Sequence, residues 1–245
     1  MPALVDVVSR GRVAVLTLKR QDSGNRITTQ MAEEVTAALD AARRDPGIGA
    51  CVLTGHGDVF CLGGDYQCAG PTAAGRAAYA KALIGMDEAM FRLGKPLVAA
   101  VNGDAHAGGF SVVAGCDLAV MADDATLGLP EAAKGLFPFI ALAIVRDALP
   151  KKLLFDIVYH ARLMNAQEAR ALHLVNEVVA RGAVLDKAVA AAEKASRYDP
   201  EILKLGRDLY YGMRGAAPGD ALEQARIALT AALEVQTKSG RREKR

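Results

Sequence analysis

Tryptophan is absent from this chain of 245 residues, and aromatic residues of all kinds make up only 5% of it. Proteins that bind single-stranded nucleic acid usually stack bases on aromatic side chains beside a basic groove. The sequence shows no stripe of alternating basic and aromatic residues, and its formal net charge is only +2. We therefore expect no nucleic-acid partner.

The small net charge hides an uneven distribution along the chain. The stretch Thr237–Arg245 (TKSGRREKR) has five basic residues and one acidic residue, a net charge of +4, which leaves −2 for the other 236 residues. We expect this basic tail to be a solvated chain end. A contact between the tail and phosphate groups is the alternative.

Cysteine and histidine are also scarce, with four of each. The cysteines form no CxxC pair and have no zinc-ligand spacing with the histidines, so we expect no metal site. Reduced thiols in a cytoplasmic protein are the expected state of the cysteines. The four cysteines are Cys51, Cys61, Cys68 and Cys116.

No apolar run is long enough to cross a bilayer. The longest, Gly135–Val145, lies between Lys134 and Arg146 and has about half the length that a membrane-spanning helix needs. The N-terminal segment lacks the cationic and apolar regions of a secretory signal. We therefore expect no membrane association and a cytoplasmic location.

With 51% hydrophobic and 24% charged residues, the composition fits one large globular domain. Up to about Leu129, apolar runs of strand length alternate with helical patterns, and helical patterns dominate from about Pro138. This alternation predicts βαβ units and a largely parallel, buried sheet. The predicted strands are Arg12–Lys19, Ala50–Thr54, Pro96–Val101, Leu118–Ala122 and Val175–Val179. The predicted helices are Thr28–Arg44, Ala73–Arg92, Phe139–Leu149, Lys151–Tyr159, Ala166–Leu172, Val184–Arg197, Pro200–Met213 and Gly219–Thr237, with a further one beginning near Gly108.

Three segments that contain glycine carry the candidate chemistry, and each is ambiguous alone. Phe60–Asp65 (FCLGGD) follows a predicted strand and by itself is typical of a tight turn. In Val101–Asp117 (VNGDAHAGGFSVVAGCD) a helix begins after glycines, so free N–H groups would face an anion or oxyanion. The absence of GxGxxG and of a P-loop pattern argues against a nucleotide loop. Leu127–Pro138 (LGLPEAAKGLFP) holds Glu131, either a helix-start residue or a desolvated carboxylate suited to proton transfer.

In this order and spacing, the three segments together resemble the crotonase superfamily of enoyl-CoA hydratases and isomerases. The family pattern is FxAGxD, then NGxxxGGG leading to CD, then FGxPE…GxxP, and later A…A…GLVN.VV. The chain matches the last element with AQEARALHLVNEVV at residues 166–179. Its N-terminal segment RVAVLTLKRQDSGNRIT is similar to the first hairpin of the family, including Asn25. The resemblance extends from about residue 5 to residue 235.

The resemblance implies an α/β fold of the ClpP/crotonase type. Residues 1–180 would form a ββα spiral core with the acyl-CoA site. Residues 181–245 would form a C-terminal helical trimerisation region and the basic tail. The long C-terminal helices and the family both imply a homotrimer or a dimer of trimers.

The resemblance also implies the chemistry. The substrate would be a fatty-acyl or other acyl thioester of coenzyme A, with no further cofactor. Its carbonyl oxygen would accept hydrogen bonds from the backbone N–H groups of Gly64 and Gly108, which stabilise an enolate, and Glu131 would be the acid/base group. Arg26 is the favoured contact for the coenzyme A phosphates, ahead of Lys81 and Arg92. The predicted substrate-binding and coenzyme A-binding residues are Asn25, Arg26, Cys61, Leu62, Gly63, Asp65 and Phe137.

Several positions depart from the family pattern. Ser111 stands where a two-glutamate hydratase has its first glutamate, and a serine hydroxyl is no carboxylate base at neutral pH. Ala107 replaces the first of three glycines, a change that a helix start tolerates if φ is negative. His106 replaces an apolar residue, and we expect it to be structural or hydrogen-bonded. Phe137 and Phe139 are expected to reshape the acyl pocket.

These departures leave the reaction open. A single carboxylate favours an isomerase that moves a proton between two carbons of an enoyl chain. One alternative is a hydratase (a lyase) that uses Glu131 and a water oriented by Ser111. Another is a catalytically weak acyl-CoA-binding or RNA-binding homologue, although the scarcity of aromatic residues supports RNA binding poorly. A dehalogenase, hydrolase or decarboxylase is the last, and in it carboxylates such as Asp87 and Glu88 would matter.

Overall fold

Two sheets lie at the centre of the structure, a computed structural model that describes residues 2–238. Most of the basic tail predicted at Thr237–Arg245 falls outside the described residues. The first sheet consists of β1 (Val5–Arg10), β2 (Val13–Leu18), β3 (Ala50–Gly55), β5 (Leu97–Val101), β7 (Leu118–Ala122) and β10 (Glu177–Val179). Its strand order is β1-β2-β3-β5-β7-β10. All neighbouring pairs are parallel except the β1-β2 hairpin, which confirms the prediction of a largely parallel sheet.

The second sheet is smaller and is made of very short strands. These are β4 (Val59–Cys61), β6 (Asp104–His106), β8 (Thr126–Gly128) and β9 (Leu163–Asn165). They lie in the order β4-β6-β8-β9, with the first three parallel and β9 antiparallel to β8. The sequence analysis predicted none of these four strands.

Nine α-helices of at least six residues occur within residues 2–238, at the predicted positions and with ends that differ by a few residues. They are α1 (Thr29–Arg44), α2 (Ala73–Phe91), α3 (Gly108–Gly115), α4 (Phe139–Val145), α5 (Lys151–Tyr159), α6 (Ala166–Ala171), α7 (Val184–Ala195), α8 (Pro200–Gly212) and α9 (Pro218–Lys238). Short 3₁₀ helices cover Gln21–Ser23, Tyr66–Ala69, Pro130–Lys134 and Arg181–Ala183.

The chain repeats one unit of structure: a strand of the first sheet, a strand of the second, then a helix. The units are β3-β4-α2, β5-β6-α3 and β7-β8-α4. Neighbouring units place their strands side by side in both sheets. This arrangement is the predicted ββα spiral. It brings the ends of β4, β6 and β8 next to one another.

Helix α7 belongs to the core, because it packs against β2, β3, β5 and β7 and buries Val184, Ala188 and Ala192. The boundary predicted at residues 180 and 181 therefore cuts through the core, and the peripheral helical region begins near Pro200. It consists of α8 and α9, which pack on each other.

Helix α8 is held to the core by Arg207 and Tyr211. The Tyr211 hydroxyl donates to Asp117 at 3.0 Å, and the Tyr211 ring stacks on Phe91. The Arg207 Nε donates to Asp117 at 2.9 Å, and its two terminal nitrogens each donate at 2.7 Å to the carbonyls of Phe91 and Met90. None of the helices in residues 2–238 is both long enough and apolar enough to cross a membrane.

Candidate active site

Three loops meet where the parallel strands of the second sheet end. Gly64 follows β4, Gly108 follows β6, and Glu131 follows β8. All three residues line one cavity that is partly open to solvent. Because β4, β6 and β8 are neighbours, the spiral brings together residues that are far apart in sequence.

The walls of this cavity are mostly apolar. Helix α2 contributes Leu83, Met86 and Asp87, and α3 contributes Ser111. The segment from Leu136 to Ala141 forms the opposite wall, with Phe137 and Phe139 at a ring-centroid distance of 5.7 Å. Phe137 lines the cavity, and its contact with the acyl chain stays a prediction.

The two glycines predicted to form the oxyanion hole lie side by side. A Cβ built on Gly108 would be 3.5 Å from the amide nitrogen of Gly64. Among residues 2–238, neither the Gly64 N–H nor the Gly108 N–H has a hydrogen-bond partner. Both donors are therefore free and border one cavity. Their convergence on a single oxygen position stays a prediction.

The backbone beside these glycines is unusual. Gly63 has a φ of 93°, and a Cβ there would come within 2.6 Å of the Ala107 Cβ. Ala107 itself has φ 55° and ψ −125°, so the condition of a negative φ, under which a helix start tolerates alanine, is not met. This is the conformation of the first central residue of a type II′ turn, which glycine favours. Strain at Ala107 thus accompanies the turn that starts α3.

Glu131 is 4% exposed, and its Oε2 has no hydrogen-bond partner among residues 2–238. Burial raises the pKa of its carboxyl group above the usual value, while its own backbone N–H and the nearby Lys134 act in the opposite direction. A desolvated carboxyl with a raised pKa is suited to accept and return protons near neutral pH.

Ser111 is 3% exposed, and its Oγ donates a hydrogen bond to the Gly108 carbonyl at 2.8 Å. The hydroxyl proton is therefore committed to the first turn of α3. The oxygen lone pairs remain for a group in the cavity, so Ser111 can accept a hydrogen bond there but supplies no charge.

A basic groove continues outward from the cavity past Gly64. Arg26 and Lys134 supply its positive charge, and His106 and Leu62 also line it. The guanidinium of Arg26 donates to the Leu62 carbonyl at 2.6 Å. His106 accepts or donates a hydrogen bond with Thr126 at 2.8 Å, as expected of a hydrogen-bonded residue, and burial lowers the pKa of its imidazole.

Two predicted binding residues have buried side chains that do not line the cavity or the groove. Asn25 is fully buried, and its amide group donates to the carbonyls of His56 and Val59. Cys61 is fully buried, and burial raises the pKa of its thiol to about 11. The predicted contact of these two side chains with substrate is corrected to a role in holding the loop.

Other predicted contacts lie around the groove or away from it. Gly63 shapes the turn and accepts a hydrogen bond from the Ile27 N–H at 2.9 Å. Asp65 does not line the groove itself but a neighbouring surface pocket, which Arg26 also lines. Its carboxylate pairs with Arg20 at 2.9 Å. Arg92 instead pairs with Asp40 at 3.1 Å, and neither it nor Lys81 lines the cavity or the groove.

Sequence reasoning missed Tyr66 and gave Asp87 only a conditional role. Tyr66 borders both the cavity and the groove, and its position directly after FCLGGD was the available signal. Asp87 is 8% exposed and lines the cavity, whereas Glu88 is exposed. No group of three His, Cys, Asp or Glu side chains within residues 2–238 has an arrangement that can hold a metal ion.

Comparison with known proteins agrees with this geometry. Residues 9–234 match the family model described as enoyl-CoA hydratase/isomerase. The chain is 34% identical over 225 residues to a putative enoyl-CoA hydratase of Thermus thermophilus, which covers 90% of this chain and 89% of the relative. It is also 34% identical to enoyl-CoA hydratase EchA19 of Mycobacterium tuberculosis, over 79% of this chain and 75% of the relative.

A solved structure shares the fold as well. The enoyl-CoA hydratase of Mycobacterium smegmatis superimposes with a TM-score of 0.88 and 27% sequence identity, over 94% of this chain and 91% of that one. The spiral of two sheets and helices is therefore the fold of enoyl-CoA hydratases.

Proposed function

Because the chain belongs to the enoyl-CoA hydratase/isomerase family, we propose that it moves the double bond of an enoyl-CoA thioester through an enolate. The observation that carries the proposal is the buried carboxyl of Glu131, whose Oε2 has no hydrogen-bond partner among residues 2–238, in the same cavity as two free backbone N–H groups. The unpaired Oε2 is therefore available to take a proton from a bound substrate.

The thioester carbonyl oxygen accepts hydrogen bonds from Gly64 and Gly108. When Glu131 removes a proton from the α-carbon, negative charge collects on that oxygen. Donors fixed in advance stabilise this charge by about 3–4 kcal/mol each. In the simplest form of the reaction, Glu131 then returns the proton to the γ-carbon, which moves the double bond into conjugation with the carbonyl.

The acyl chain occupies the apolar cavity, and the coenzyme A portion follows the groove. Arg26 and Lys134 attract its phosphate groups there, and no further cofactor takes part in the proposed reaction. We propose a cytoplasmic location because all four cysteines are free thiols.

Hydration is the second candidate, favoured by the hydratase names of the relatives and by the Ser111 oxygen in the cavity. Ser111 would accept a hydrogen bond from a water molecule that adds at the β-carbon, and Glu131 would handle its proton. This route is slower than isomerisation because Ser111 is not a base.

Parallel assays with crotonyl-CoA and a 3-enoyl-CoA in D₂O distinguish these functions. We expect isomerisation and α-carbon deuterium exchange to exceed hydration, and Ser111→Glu to raise hydration if its side chain fits. Fast hydration without isomerisation by the unmodified protein would identify a hydratase. Acyl-CoA binding without turnover or exchange would identify a binding homologue.

A further inference from the structure

We propose that Asp87 is a second catalytic acid/base residue, which delivers the proton to the γ-carbon while Glu131 removes the proton from the α-carbon. This inference rests on the proposed function and changes only the second half of the reaction. It places on helix α2 a second carboxyl group, which Ser111 on α3 cannot provide.

The first observation is the environment of the Asp87 side chain. Asp87 is 8% exposed and lines the cavity beside Leu83 and Met86, in the middle of an apolar helix face. Within residues 2–238 its carboxyl group forms no hydrogen bond and no ion pair. The Asp87 oxygens are open to the cavity and are not sealed in the core. A carboxyl group in so apolar a wall is still poorly hydrated, so packing alone does not account for an aspartate here.

The second observation is the position of Asp87 along the length of α2, relative to the two ends of α3. Near the start of α2, the Tyr79 hydroxyl lies against Gly64, 2.3 Å from where a Cβ on that glycine would be. Near the end of α2, Met90 contacts the site of a Cβ on Gly115, the last residue of α3. The two helices therefore run in the same general direction from the oxyanion hole. Asp87 lies between these two contacts, on the stretch of α2 that faces the body of α3 and Ser111.

Asp87 and Glu131 reach the same cavity from different elements, α2 and the loop after β8. Glu131 lies with the glycines at the carbonyl end. An enoyl chain bound between the two carboxyl groups presents its α-carbon to one and a more distant carbon to the other.

The protonation state of Asp87 suits a donor. Burial, followed by the charge of the neighbouring Glu88, raises the pKa of the Asp87 carboxyl to about 7. A large fraction of the protein therefore carries this proton at neutral pH, ready for transfer.

The proton transfer conserves atoms and charge. The Glu131 carboxylate takes the α-proton, and the electron pair of that C–H bond forms a dienolate whose charge lies on the thioester oxygen. The protonated Asp87 gives its proton to the γ-carbon, the bond between the β- and γ-carbons becomes single, and the α,β double bond and the carbonyl form. Glu131 is left protonated and Asp87 ionised, and solvent resets both after product release.

The test uses a 3-enoyl-CoA deuterated at the α-carbon, with product analysed by mass spectrometry and NMR. For the unmodified protein in H₂O we expect the γ-proton to come from solvent. Efficient transfer of the label from the α- to the γ-carbon would overturn the proposal, because it requires one group for both steps.

Asp87→Asn preserves the size of the side chain and removes the acid. We expect isomerisation to fall about 10²-fold or more, while α-carbon exchange by Glu131 stays within about threefold. The residual product should carry more transferred label, since Glu131 must then return the proton. Glu201→Gln, an exposed carboxylate on α8 outside the cavity, is the control and should behave like the unmodified protein.

Isomerisation by Asp87→Asn at the unmodified rate would overturn the role of Asp87 and leave the proposed function intact. Absence of both exchange and isomerisation in the unmodified protein would instead overturn the proposed function. If Asp87→Asn folds poorly, Asp87→Leu provides the second variant, because leucine suits the apolar surroundings. The same split between lost isomerisation and retained exchange is expected.

Discussion

At the residue scale, Glu131 and Asp87 are both largely buried acidic residues that line the cavity, but they differ in what the sequence reveals. Glu131 belongs to a recognisable motif, so its role could be predicted. Asp87 lies in an ordinary helical pattern whose apolar members, such as Met86 and Met90, indicate only that the helix has a buried face. Which of two neighbouring carboxylates, Asp87 or Glu88, points inward depends on the exact rotation of α2, and the sequence does not define it.

Replacing Glu131 tests its role most directly. Glu131→Gln keeps the shape of the side chain and removes the base, so turnover should fall about 10²–10⁴-fold while acyl-CoA affinity changes little. Steady-state kinetics and calorimetric binding measure the two effects. Glu201→Gln, an exposed glutamate on α8, is the control. Unchanged turnover with a lower melting temperature would reduce Glu131 to a helix-start residue.

The raised pKa of Asp87 also predicts how the free energy of unfolding depends on pH. Its pKa rises from 3.8 to about 7 on folding, so the folded state binds the proton more tightly. The stabilising effect of this proton is complete below about pH 4 and is lost as the pH rises through about 7. Asp87→Asn does not titrate, so its stability relative to the unmodified protein should increase by about 2–3 kcal/mol between pH 5 and pH 8.

Denaturant unfolding of both proteins at these two pH values measures the difference. Glu88 on the same helix and Glu131 across the cavity are the other titratable groups around Asp87, and Asp87→Asn retains both. A constant stability difference from pH 5 to pH 8 would show that the carboxyl of Asp87 is not desolvated.

At the element scale, the two sheets differ in how well the sequence predicts them. The strands β2, β3, β5 and β7 are apolar runs of five or six residues and were found nearly to the residue. The strands β4, β6 and β8 have three residues each, too few for a period to be recognised, and β6 contains Asp104 and His106. The candidate catalytic residues come directly after those short strands. The sequence motifs therefore located the site, whereas the sheet that positions it could not be predicted.

Replacing alanine by glycine usually destabilises a protein, but in the turn before α3 we expect it to be stabilising. Ala107→Gly should stabilise the protein by about 0.5–1.5 kcal/mol, because relief of the positive φ outweighs the added entropy of the unfolded chain and the lost methyl group. Ala78→Gly, at an exposed position inside α2, should instead destabilise by about 1 kcal/mol. Thermal unfolding of the two variants checks both values, and destabilisation by Ala107→Gly would contradict the strain at this turn.

At the scale of the whole molecule, the C-terminal helices leave apolar surface uncovered. Along α9 the side chains of Leu222, Leu229 and Leu233 are 73%, 61% and 40% exposed. Their spacing places them on one face of the helix. An exposed apolar stripe of this kind is typical of a subunit interface.

We accordingly expect a homotrimer or a dimer of trimers at micromolar concentration. Sedimentation velocity measures the assembly. The double substitution Leu222→Asp and Leu229→Asp should weaken it, since charges would be buried in the interface. A monomeric unmodified protein would contradict this prediction and leave the role of α9 open.

The repeated strand-strand-helix unit has a consequence for how the protein refolds. Each of three successive units supplies one part of the site: Gly64, then Gly108, then Glu131. Pairing between the units is non-local in sequence, and contacts of this kind form slowly. A chain in which only the first two units had docked would polarise a thioester and have no base. Recovery of activity after dilution from denaturant should therefore follow the docking of the third unit, later than the recovery of helical circular dichroism.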